Sequence, residues 1–304
     1  LKGTESRRWQ ADLALAAVAL IWGATFVVVK EALRDVSPLL FLLLRFSLAS
    51  LALAAAARPL ASKFQQVREL LRGGLLAGLC LFGGYWLQTL GLRYTTPSKS
   101  AFLTGLSIVM VPLLGGVIRR RAPPLTEVAG VSFAILGMAL LTLEGGLGRV
   151  NPGDLLTIGC AVGFALHILA VGYWAPRVNY QALTLVQILT TALCAAGLLW
   201  AESNYLRWSP RVVIALVVTG LLATALAFTL QAWAQQRTTP THTALIFALE
   251  PVFAWLTSFV VTGERLSLRQ TAGAALILAG ILQVELKLVA RRTSAAPRRR
   301  ISAL

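Results

Sequence analysis

Long apolar runs alternate with short polar breaks along all 304 residues. A spanning helix needs about 20 mostly apolar residues. Ten such runs are present, at roughly 12–33, 38–57, 70–90, 97–118, 125–144, 154–174, 181–200, 211–235, 239–261 and 268–288. Their length and alanine/leucine content predict helices, since barrel strands would be about 10 residues of alternating polarity. The linkers are short throughout, so the predicted bundle itself must carry the chemistry.

The runs also repeat. Residues 88–137 align without a gap on 231–280, and 13 of the 50 pairs are identical. Gln88 meets Gln231, and Thr95, Thr96 and Pro97 meet Thr238, Thr239 and Pro240. The first and sixth runs match at an offset of 142, with Asp12 against Asp154. Each copy holds an odd number of runs, so the second must enter the bilayer from the opposite side. Inverted duplication of this kind marks secondary transporters, which hold substrate where the halves meet. The prediction is an all-α integral membrane protein with ten transmembrane helices. They form two inverted five-helix repeats around a central cavity, at 11–146 and 154–288, followed by a basic tail at 289–304.

Composition narrows the class. The chain is 57% hydrophobic and 13% charged, against about 25% charged in a globular domain. A net charge of +16 does not point to nucleic acid, because the arginines sit at alternating helix ends and not on one face. With the N-terminus inside, 18 Lys and Arg fall on the inner side and 8 on the outer. That bias places both termini, and the tail, in the cytoplasm of a cell (inner) membrane protein. Leu13 to Val29 is too long for the apolar core of a cleaved signal and reads as the first span. Cys80, Cys160 and Cys194 lie within spans and lack metal-type spacing. There is no Gly-rich nucleotide loop and no His-Glu-x-x-His pair. No cofactor or metal is expected, and transport would be passive or coupled to an ion or proton gradient.

Polar side chains inside spans are the trace of a watery path. Residues three, four and seven apart share a helix face. In the third span Leu81, Tyr85 and Gln88 share one, and 143 residues on Thr224, Phe228 and Gln231 share another. In the fourth Ser100, Thr104 and Ser107 align, matched by Thr243, Phe247 and Glu250 in the ninth. Trp22 and Thr25 in the first span match Phe164 and His167 in the sixth. All of these except Leu81 are candidate substrate-binding residues. The competing reading is that Ser, Thr and Gln join helices. His167, mid-span, is read either as a substrate or proton site, since histidine titrates near neutral pH, or as a structural residue bonded to a carbonyl.

Two charges lie deepest. Glu250 precedes Pro251, which removes a helix hydrogen bond, and offers a site for a cation or proton. Arg45 lies midway along the second span, where an arginine costs about 2.5–3.5 kcal/mol. It is read either as an anion site or as a structural tie that holds the bundle; its repeat partner is the neutral Gln187 and the second span need not face the cavity, so Arg45 stays off the candidate set. Lys30 and Lys99 lie near span ends, where snorkelling accounts for them.

Three stretches resemble a known family: Ile21 to Phe26 (IWGATF), Arg93 to Leu103 (RYTTPSKSAFL), and Ala248 to Phe253 (ALEPVF) followed by Gly263 to Leu266 (GERL). They are similar to motifs of the drug/metabolite transporter superfamily, in its ten-span EamA group. The resemblance implies a ten-helix basket with cytoplasmic termini and alternating access. It implies cavity walls from spans one, three, four, six, eight and nine, and export of amino acids or other metabolites. His167 and Lys99 depart from the shared pattern. The expected activity is secondary-active or facilitative transport of a small amphipathic molecule, with a possible proton as coupling ion. The alternative is a membrane enzyme or receptor that binds a lipid or metabolite without moving it. An enzyme would need an acid/base or metal cluster near the interface, and the twelve acidic residues are not grouped with histidine. Oligomeric state is not legible, because the span glycines serve contacts within or between chains equally well.

Overall fold

The computed structural model describes residues 2–56, 64–118, 120, 129, 132–133, 136–137, 140, 151–276, 278–280 and 283. The described chain is helical: α1 (Lys2–Ala32), α2 (Pro38–Ala56), α3 (Phe64–Leu92), α4 (Pro97–Thr104), α5 (Leu106–Ile118), α6 (Pro152–Trp174) and α7 (Tyr180–Gly197). Then follow α8 (Pro210–Val217), α9 (Ala227–Gln235), α10 (Pro240–Phe247) and α11 (Glu250–Thr262). A π-helical stretch, Val218–Leu226, joins α8 to α9 in one span, Pro210–Gln235, and α4 and α5 together make another, Pro97–Ile118. Among the described residues, seven helices are long and apolar enough to cross a membrane. The ninth predicted span is α10 plus α11, broken at Ala248 and Leu249. The fifth predicted span and the end of the tenth lie largely outside the described residues; 268–276 is helical.

Helix starts are written in the sequence as a capping residue followed by proline. Thr96, Asn151 and Ser209 accept from the backbone N–H of Lys99, Gly153 and Val212, ahead of Pro97, Pro152 and Pro210. Thr239, ahead of Pro240, accepts from the N–H of His242. Proline is cheap in the first turn because that N–H has no helical partner, and each cap contributes about 1 kcal/mol. Inside the spans several threonines satisfy themselves. Thr157, Thr184, Thr190, Thr219 and Thr229 each donate to the carbonyl four residues back.

The spans interlock in a reciprocal pattern. Helix α3 lies against α6 and α7, while α9 and the π-helical stretch lie against α1 and α2. Helix α5 lies on α6 and α11 on α1, and α2 faces α7. Each contact therefore has a counterpart among residues about 143 positions away. The α3–α6 crossing depends on bare backbone: a Cβ on Gly163 would sit 2.7 Å from the Gly84 nitrogen.

Polar ties join the helices at both ends. Lys99 does not snorkel. It is 9% exposed, and its Nζ lies 3.1 Å from Oδ2 of the fully buried Asp154, whose Oδ1 accepts from Thr95 at 2.6 Å. Nor does Lys30, whose Nζ donates to the carbonyls of Leu92, Arg93 and Thr95 at the end of α3. At the other end His242 Nε2 lies 2.9 Å from Asp12 Oδ1.

The crossing yields a stability prediction. Gly163→Ala forces α3 and α6 apart and should destabilise the protein by about 1–3 kcal/mol. Gly83→Ala, whose Cβ would meet nothing within 4 Å, should be neutral or slightly stabilising. Thermal unfolding in detergent checks both.

Candidate functional site

The site forms where two helices are interrupted. One break falls at Gly105, between α4 and α5, and the other at Ala248 and Leu249, between α10 and α11. Gly105 and Ala248 are repeat equivalents. The breaks touch, since a Cβ on Gly105 would lie 3.1 Å from Pro251 Cγ. Pro251 has no N–H to offer the Phe247 carbonyl, which weakens the ladder at that point. A third irregularity is the π-helical stretch. Where it returns to α-helix, the N–H of Ala227 reaches Leu222 and Thr224 and passes over Ala223. The bypassed Ala223 carbonyl instead accepts Trp22 Nε1 at 2.8 Å. Single π-helical turns recur at functional sites for this reason, because they free backbone groups.

Between these irregularities lies a cavity with about 760 Å³ of space not filled by atoms, its open mouth included. Its walls are aromatic. Trp22 sits 5.1 Å from Phe228 and 4.9 Å from Phe247, centroid to centroid, and Tyr85 stands edge-on to Phe164 at 5.1 Å. Polar groups punctuate these walls. Gln88 Nε2 donates to Thr104 Oγ1 at 3.1 Å, and Thr25 Oγ1 donates to the Trp22 carbonyl at 2.8 Å. Gln231 Nε2 donates to Gln235 Oε1, and Gln235 Nε2 to the Ile168 carbonyl, both at 3.0 Å. His167 Nε2 is 2.8 Å from Gln187 Oε1. Its ring is thus anchored on α7, which fits the structural reading, yet it still lines the cavity and stands edge-on to Phe228 at 5.5 Å.

The cavity is lopsided. Val29, Thr89 and Leu92 line it toward the end where α3 finishes. Their repeat equivalents Val171, Ala232 and Gln235 do not line it. The Gln231–Gln235–Ile168 chain closes that second side.

Twelve of the fifteen predicted residues line the cavity: Trp22, Thr25, Tyr85, Gln88, Thr104, Ser107, Phe164, His167, Phe228, Gln231, Phe247 and Glu250. Ser100, Thr224 and Thr243 do not. All three are fully buried behind the wall, and Thr224 accepts from Arg45 Nε at 2.8 Å. The face pattern put them in the stripe because they lie one turn from lining residues, but that turn points into neighbouring helices. Arg45, set aside in the sequence, does line the cavity. Its Nη2 donates to the Tyr85 hydroxyl at 3.2 Å, and its guanidinium lies 4.5 Å from the Tyr85 ring centroid. The available signal was a lone arginine within an otherwise apolar run.

Comparison with known proteins completes the picture. The EamA-like transporter family matches the chain twice, at residues 9–143 and 151–285. An uncharacterized transporter of Archaeoglobus fulgidus is 33% identical over 92% of this chain and 87% of its own. A probable terminal-alkyne amino-acid exporter of Streptantibioticus cattleyicolor is 25% identical over 94% of this chain and 97% of its own. A probable amino-acid metabolite efflux pump of Salmonella typhimurium is 25% identical over 87% of this chain and 91% of its own. A crystal structure of 22% sequence identity superposes with a TM-score of 0.69, covering 95% of this chain and all of its own, and shares the fold.

The geometry separates structure from function at Arg45. An apolar residue often replaces a buried charge without loss of stability, because desolvation offsets the attraction. Arg45→Met should leave the detergent unfolding midpoint unchanged or raised. A fall equivalent to about 3–5 kcal/mol would make Arg45 a structural tie instead.

Proposed function

The chain belongs to the EamA-like transporter family, and from that premise we propose that it exports small amphipathic metabolites, amino acids among them, by alternating access through the aromatic cavity. It is a multi-pass membrane transporter; its family and the names of its relatives are those of transporters and not of enzymes. The observation that carries the reading is the cavity itself, which gathers residues from seven different spans around two helix breaks at matched positions. Discontinuous helices meeting at mid-membrane are where transporters of duplicated design hold substrate. The twelve lining candidates are read as the substrate wall, with Ser100, Thr224 and Thr243 supporting it from behind.

In this reading the chain has ten spans in two inverted repeats, 11–146 and 154–288, with both termini and the 289–304 tail in the cytoplasm of the inner membrane. The reciprocal contacts of α3 and α9 support the inversion, and so do the end ties. Asp154 with Lys99 at one end and Asp12 with His242 at the other occupy equivalent positions, and each tie joins one repeat to the other. Opening the cavity toward either end would require the tie at that end to lengthen. The Asp154 tie is dry. At the other end, the side chains of His242 and Asp12 are 33% and 43% exposed. Relatives named for amino-acid export favour amino acids or compounds like them as cargo.

Gln88→Leu combined with Gln231→Leu should lower flux in proteoliposomes by at least roughly tenfold, at about 1 kcal/mol per hydrogen bond lost, with expression intact. Unchanged flux would remove the cavity from the transport path. Coupling to protons is assigned to Glu250. An imposed pH gradient should accelerate flux in the unmodified protein and leave Glu250→Gln unaffected. Flux indifferent to the gradient in both would make the protein a facilitator.

A further inference from the structure

Two ionisable groups of opposite kind, Arg45 and Glu250, face the cavity, and neither has an oppositely charged partner among the described residues. Four ion pairs occur among the described residues, and neither Arg45 nor Glu250 takes part in any of them. Arg45 is 3% exposed. Its Nε and Nη2 are held by the neutral hydroxyls of Thr224 and Tyr85, and its Nη1 makes no hydrogen bond among the described residues. The Glu250 side chain likewise makes none, although it lines the same cavity. Hydroxyls can aim a guanidinium but cannot cancel its charge, and an uncancelled charge within a membrane is costly. Both groups are therefore held ready, at a cost, for something that enters from outside the protein.

The chemistry of that something follows from charge balance. A plain anion would satisfy Arg45 and leave the Glu250 carboxyl, once it has given up its proton, without a partner, and a plain cation would do the reverse. A molecule carrying both charges satisfies both, while its apolar body rests on Trp22, Phe228 and Phe247. We propose that Arg45 and Glu250 are the two halves of a zwitterion site, with Arg45 taking the carboxylate and Glu250 the ammonium group. The repeat equivalents of these residues are the neutral Gln187 and Ser107, so the pair occurs once and the ligand binds in one orientation. The inference rests on the transporter reading of the cavity, and it adds the residues that select the cargo.

The test compares leucine and tryptophan with their N-acetyl forms, which lack the cation, and their amides, which lack the anion. Binding is measured on the full-length protein in detergent. Each zwitterion should bind at least roughly tenfold more tightly than either derivative, since a charged hydrogen-bond partner is worth about that factor. In Arg45→Met the acid and the amide should bind alike, and in Glu250→Gln the free and N-acetyl forms should. The derivative series on the unmodified protein decides the matter even where a variant fails to fold. Derivatives binding within about twofold of the parent, or no binding by either zwitterion, overturns the proposal. Flux of the same compounds separates the two readings. Equal flux of all three forms keeps the carrier and removes the charge-matched site; selective binding without flux keeps the site and removes the carrier.

Discussion

Hydrocarbon offers no hydrogen-bond partner, and most polar groups among the described residues are placed in answer to that fact. Several span threonines bond back to their own helices, the helix starts are capped, and Lys30 spends its ammonium on three carbonyls at the end of α3. One group of polar side chains collects away from the helix ends. They lie around a cavity where two helices break at equivalent positions and a third widens into a π-helix. A polar group in hydrocarbon costs free energy, so the gathering of Arg45, Glu250 and the two glutamines around one cavity is the physical mark of a compartment meant to be filled.

The same constraint explains how the halves hold together without a water-driven hydrophobic force between them. Small residues let backbones approach, as at Gly84 and Gly163, and polar ties, one buried and one part-exposed, lock the ends. Two copies of one design then diverge where chemistry demands it. The π-helical stretch belongs to the second copy alone, in the span whose counterpart, α3, is regular. Arg45 belongs to the first copy alone. A symmetric scaffold thus carries an asymmetric cavity, open toward Leu92 and closed by Gln231 and Gln235.

Much of this was legible in the sequence, for definable reasons. Helix positions follow from run length, because a bilayer demands about 20 apolar residues, and helix starts follow from cap-proline pairs. The lining of the cavity emerged from helical period combined with the repeat, which narrows a noisy pattern to positions polar or aromatic twice. What failed was whatever depends on a helix's rotation against its neighbours. Arg45 faces inward because Thr224 and Tyr85, from other spans, are there to hold it. Lys99 looked like a residue reaching for the membrane surface because Asp154 is 55 positions away in sequence. The π-helix has no sequence signature here; its free carbonyl makes sense only once Trp22 is seen beside it.

The central claim is that one cavity between two inverted halves opens alternately to the two membrane faces. Thiol labelling in sealed transporting vesicles tests it directly, with Cys80, Cys160 and Cys194 replaced and single cysteines introduced as Thr89→Cys or Ala232→Cys. These equivalent positions should label from opposite sides, and conditions that raise labelling at one should lower it at the other. Labelling of both from the same side, or none at position 232 during active flux, would contradict the account.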